Sequence, residues 1–84
     1  MEIKEWFHTN GSNMMVELGI SRGDSVLDFG CGGGHYCVPL AQTVGPEGKV
    51  VAVERDDEPL QELNDRLREE GLRGVVHPIQ SENL

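Results

Sequence analysis

A carboxylate inside an apolar run, followed at once by a cluster of glycines, is the stretch of this chain with the most chemistry in it. It reads "VLDFGCGGGHYC", from Val26 to Cys37. Asp28 interrupts the apolar run, and an acid in such a place needs a partner. Gly30, Gly32, Gly33 and Gly34 follow, four glycines in five positions. Glycine is costly to order; one or two would serve a plain tight turn, and four ask for a further reason. A strand that ends here and a helix that begins here would leave unpaired N–H groups and the positive end of a helix dipole at the turn. With no Cβ in the way, a ligand can lie against the backbone. The loop therefore reads as a cradle for something anionic or polar, and flat enough to rest on main chain.

The spacing narrows the ligand. A phosphate loop needs four residues between its first glycine and Gly-Lys-Ser/Thr. "GPEGKV" has two and ends in valine. The dinucleotide fingerprint G-x-G-x-x-G, started at Gly30, requires glycine at position 35, where His35 stands. The pattern that fits is D-x-G-x-G-x-G: Asp28, Gly30, Gly32 and Gly34, with Gly33 extra. Cys31 and Cys37 do not have a zinc-knuckle spacing, and His8, His35 and His77 are far apart, so no metal site is expected. The thiols read as small packing groups.

The elements around the loop follow from periodicity and punctuation. "IKEWFHT" is amphipathic and predicts a helix; Ser12 caps a second short one, "NMMVELG", that ends at Gly19. "SVLDF" is a near-continuous apolar run and predicts a buried parallel strand. "HYCVPLAQTV" predicts a helix with Pro39 near its first turn, stopped by Gly45-Pro46-Glu47-Gly48. "KVVAVE" predicts a second strand. "DEPLQELNDRLREEGL" predicts a helix capped by Asp56 or Asp57, with Leu60, Leu63 and Leu67 on its buried face and Gly71 at its end. "GVVHPIQ" predicts a third strand, and Pro78 within it argues for a sheet edge. Strands alternating with helices imply a parallel sheet with right-handed crossovers, here in the order 3-2-1. Residues 1–84 are expected to form a single partial domain, with N-terminal helices over 1–20 and the β-α-β-α-β unit over 21–84.

Composition sets the outer limits. The chain has 15 acidic and 7 basic residues, a formal charge of −8, with no basic stripe, so nonspecific nucleic-acid binding is not expected. No apolar run reaches the roughly 20 residues of a membrane span, and the N-terminus lacks a signal layout. A cytoplasmic protein is the default reading.

"VLDFGCGGG" resembles motif I of the class I S-adenosylmethionine-dependent methyltransferases, and "VVAVERD" resembles the acidic strand-two motif that follows it. "LGISRGDSVLDFGCGGG" and "VGPEGKVVAVERD" are most similar to the quinone- and sterol-type small-molecule enzymes. The resemblance runs from about Ser12 to the end of the chain. It implies a Rossmann-like α/β fold and S-adenosylmethionine as cofactor, with S-adenosylhomocysteine as product. It implies that Asp28 holds the amino group of the methionine part, with the backbone of Gly30, Cys31 and Gly32 alongside. Glu54 would accept hydrogen bonds from both ribose hydroxyls. Arg55 falls where the family lines an adenine face, and Glu82, with Ser81 beside it, falls where the family places an acid against the adenine amino group. The implied reaction is in-line methyl transfer to a small-molecule acceptor.

The resemblance also implies that a complete domain continues with four more strands, which carry much of the substrate machinery. This chain is therefore expected to be part of a larger unit, with an exposed edge on strand 26–29 through which copies of it could associate. Two other readings stand beside the methyltransferase one. The first is a nicotinamide-binding oxidoreductase half, and the second is a non-catalytic fragment that pairs through that edge.

Overall fold

In the computed structural model the described residues are 15–82. The predicted helix in "IKEWFHT", with Trp6 and Phe7, and Met14 of the second helix lie outside them. A short helical turn at residues 15–17 leads in, and Gly19, at φ 93°, ends it. The elements that follow are β1 (Ser25–Phe29), α1 (Cys37–Val44), β2 (Lys49–Glu54), α2 (Asp57–Glu70) and β3 (Val76–Gln80). All three strands are parallel, and β2 lies between β1 and β3. That is the predicted order, with β1 and β3 as edges among the described residues. Pro78 stands on β3, at the edge position proline requires.

The register sorts side chains onto two faces. Val26, Val50 and Val76 stand in one row across the sheet; Asp28, Ala52 and Pro78 stand in the next row of the same face. On this face the core forms: Cys37, Leu40, Ala41 and Val44 of α1 and Leu63 and Leu67 of α2 pack with Val50, Ala52 and Val76, and Met15 joins them. Two right-handed crossovers that step in the same direction along a sheet put both helices on one side of it. The opposite face carries Leu27 and Phe29 of β1 and Ile79 of β3, which are 56%, 62% and 48% exposed. Here the sequence reading needs correcting. "SVLDF" is not buried on both faces; its residues alternate between exposed and half-buried, because among the described residues only one face of β1 is covered.

Helix ends match the punctuation. Pro39 is the third residue of α1, where its missing N–H costs no helical bond. Gly45, at φ 73°, closes α1, and Gly71 closes α2 in the left-handed region, its N–H reaching the carbonyls of Leu67 and Arg68. Asp56 holds the N-cap position of α2 but gives no side-chain cap; its carboxylate pairs instead with Arg55.

Candidate functional site

The glycine loop leaves β1 and folds over the carboxyl end of β2. The N–H groups of Gly30 and Cys31 both donate to the Val53 carbonyl, at 2.8 and 3.1 Å, and the Gly34 N–H donates to the Cys31 carbonyl at 3.1 Å. The glycines divide into two pairs. Gly30 and Gly32 have φ of 69° and 55°, a backbone region that disfavours other residues, and the space a Cβ would occupy is open. Gly33 and Gly34 lie against α2. A Cβ on Gly34 would sit 2.7 Å from Leu63 Cδ1, and one on Gly33 would sit 2.6 Å from a Glu62 carboxylate oxygen. Sequence reasoning counted Gly34 as part of the ligand cradle; in the fold it is also the point where loop and helix close on each other. The signal was present only as the neighbouring pattern of Leu60, Leu63 and Leu67, which does not say what those leucines touch.

Asp28 points from β1 into this corner and is half-buried. The Cys37 thiol, fully buried at the start of α1, donates to Asp28 Oδ2 at 3.1 Å. Burial raises the Asp28 carboxyl above its usual range, and the Cys37 hydrogen bond opposes that rise only in part. Burial, reinforced by the nearby Asp28 carboxylate, also drives both thiols up. Cys31 is pushed to about 11, and Cys37 is raised further. Protonated, buried thiols are poor nucleophiles, so neither cysteine fits a covalent role. Among the described residues no group of three or more His, Cys, Asp or Glu side chains is placed to hold a metal.

Glu54, the last residue of β2, is only 7% exposed. Its Oε1 accepts the Gly32 N–H at 2.9 Å, and its Oε2 accepts the N–H groups of Arg55 and Asp56 at 2.8 and 2.9 Å. These bonds, that from Asp56 foremost, hold its carboxyl below the usual range against the opposing effect of burial. Sequence reasoning treated Glu54 as a ligand contact and missed that it grips the loop after β1. The only hint was topological, since adjacent parallel strands bring their carboxyl ends together. Arg55 is exposed, and its guanidinium lies 3.5 Å from the Asp56 carboxylate. The Ser81 N–H donates to the Glu54 carbonyl at 3.0 Å, which brings the end of β3 to the same corner, with exposed Glu82 next to it. Gln80 braces this end by donating to the Arg55 carbonyl at 3.2 Å and to the Asp57 carboxylate. Asp28, the loop, Glu54 and Ser81 thus gather at the carboxyl edge of the sheet, the edge where open α/β sheets bind ligands.

Comparison with known proteins gives the family of this fold. Residues 20–81 match the family described as "Methyltransferase domain". The chain is 40% identical over 63 residues to a protein-L-isoaspartate O-methyltransferase of Ignicoccus hospitalis, a match that covers 74% of this chain and 30% of that protein. It is 40% identical over 55 residues to the 23S rRNA (uracil(1939)-C(5))-methyltransferase RlmD of Acinetobacter baumannii, covering 66% of this chain and 12% of that protein. A SAM-dependent methyltransferase from Aquifex aeolicus superposes with a TM-score of 0.78 at 32% identity, over 87% of this chain and 38% of that one. This chain therefore spans well under half the length of each of these relatives. The fold is the Rossmann-like fold of such enzymes, and the chain belongs to the methyltransferase domain family.

Proposed function

We propose that this chain is the S-adenosylmethionine-binding part of a methyltransferase. The observation that carries the reading is the pairing of two carboxylates, Asp28 and Glu54, at the carboxyl ends of adjacent parallel strands, with the open side of Gly30 and Gly32 between them. That arrangement fits the cofactor's chemistry. A cation-holding acid, a backbone cradle without Cβ atoms and a second acid for hydroxyl donors suit an ammonium, an amino-acid chain and a ribose. Asp28 would hold the ammonium, and the backbone of Gly30, Cys31 and Gly32 would lie along the methionine part. Glu54 would face the ribose; Arg55, Ser81 and Glu82 would flank the adenine. When bound, S-adenosylmethionine supplies a methyl group activated by its sulfonium. The residues of this chain orient it, and in methyl transfer by in-line displacement orientation is a large share of catalysis.

A raised Asp28 carboxyl suits this role, because an incoming ammonium restores the charged form that burial disfavours. A nicotinamide dinucleotide fits less well, because His35 stands where its fingerprint requires glycine. For the acceptor we propose a small molecule; the support is the formal charge of −8, which opposes a polyphosphate partner. Thermal denaturation of the protein with S-adenosylhomocysteine and, separately, with NAD tests the cofactor reading. A concentration-dependent rise in Tm with S-adenosylhomocysteine alone is expected. A rise with NAD alone would overturn the assignment of S-adenosylmethionine to this cradle.

A further inference from the structure

We infer that Glu54 is a positioning residue for the glycine loop, and that it thereby couples the ribose end of the cofactor site to its amino-acid end. This rests on reading the site as an S-adenosylmethionine cradle. A carboxylate offers about four acceptor positions. Three of those on Glu54 are filled by the N–H groups of Gly32, Arg55 and Asp56, at 2.8 to 2.9 Å. One position on Oε1 is left for a ligand hydroxyl. The side chain is thus a structural clamp first and a ribose acceptor with what remains.

The clamp acts at the part of the loop that most needs it. Gly30 and Cys31 are held by the Val53 main chain, and Gly34 by the Cys31 carbonyl, so no side-chain change removes those bonds. The Gly32 N–H is held through the Glu54 side chain, in a positive-φ state that glycine readily leaves, while its carbonyl has only the long 3.6 Å bond from the neighbouring Cys31 thiol. Fixing it in advance lowers the ordering cost of binding. An amide in place of the carboxylate cannot do both jobs. Its oxygen can satisfy either Arg55 and Asp56 or Gly32, and its NH₂ then confronts the other N–H. The side with two donors prevails, and Gly32 is released.

The test uses two ligands that share the nucleoside. S-adenosylhomocysteine carries the amino-acid chain and 5′-methylthioadenosine lacks it. Calorimetric titration of wild type and Glu54→Gln gives four affinities. The proposal predicts that the variant loses affinity for both, and loses about tenfold more for S-adenosylhomocysteine, the scale of one charge-assisted hydrogen bond. Equal losses for the two ligands would make Glu54 a ribose contact only and overturn the proposal. If wild type binds neither ligand, the cofactor reading fails, and the clamp is judged without a ligand. Amide hydrogen exchange should quicken at Gly32 in Glu54→Gln while Gly30 and Cys31 stay protected; unchanged protection at Gly32 overturns the clamp. Should Glu54→Gln not fold, Glu54→Asp, which keeps the charge but draws it back toward β2, is put through the same exchange measurement with the same two outcomes.

Discussion

The fold shifts the Asp28 carboxyl up and the Glu54 carboxyl down, and the contrast is measurable. The Asp28 carboxyl lies above its ordinary value of 3.8 in the folded chain, so the folded state holds its proton more tightly than the unfolded state does. Its contribution is most favourable below 3.8 and falls away as pH rises through the folded value. Asp28→Asn should therefore melt at a higher temperature than wild type near about pH 7, with the gap closing as pH falls toward 4, while cofactor affinity drops. A variant that melts lower at neutral pH would contradict the burial argument. Glu54 runs the other way. Its stabilisation is present above 4.5 and is lost as pH falls through its depressed folded value, so Glu54→Gln should flatten the acid side of the stability profile. At the same scale the glycine pairs separate. Gly34→Ala, with Leu63 Cδ1 2.7 Å from the new Cβ and φ at +93°, should cost about 2 to 3 kcal/mol in denaturant titrations. Gly32→Ala, strained but in open space, should cost about 1 kcal/mol. The pattern of Asp28, Gly30 and Gly32 was legible in the sequence because its spacing is local. The partners of Gly34 and Glu54 were not, because Leu63 and Gly32 reach them only through the tertiary fold.

At the scale of elements, the alternation of apolar runs and leucine periodicity marked three strands and two helices, and glycines marked the helix ends. The structure departs mainly in trimming: α1 begins at Cys37 rather than His35, and β3 begins at Val76. The first turn before α1 belongs to the loop, where the Val38 N–H already reaches back to the Gly34 carbonyl. What composition could not show is how tightly the α1–β2 turn is closed. A Cβ on Gly48 would stand 2.3 Å from Val44 Cβ and 2.8 Å from the Val44 carbonyl oxygen, and backbone cannot step aside as a flexible side chain can. Gly48→Ala should cost about 3 kcal/mol, on a par with Leu67→Ala, which empties a core position that is 1% exposed. Equilibrium unfolding in urea checks both. A Gly48→Ala change that leaves the midpoint untouched would show that the turn has slack.

For the whole molecule, among the described residues, Leu27, Phe29 and Ile79 on the face away from the helices, with the unpaired outer edge of β1, form a sticky side. Light scattering on the isolated chain should show concentration-dependent association, and Leu27→Lys with Phe29→Lys should reduce it. A wild-type chain that stays monomeric at high concentration would contradict this. The fold class and strand order were legible in the sequence, while the face left uncovered among the described residues was not, because "SVLDF" reads as a strand covered on both sides. The central claim is that Asp28, the open glycines and Glu54 form one cradle for S-adenosylmethionine. Isothermal titration of wild type and Asp28→Asn with S-adenosylhomocysteine tests it most directly. The account predicts saturable one-to-one binding to wild type and at least about a tenfold loss in the variant, one charge-assisted contact with an ammonium. Equal affinity in the two proteins, or no heat with wild type, would contradict it.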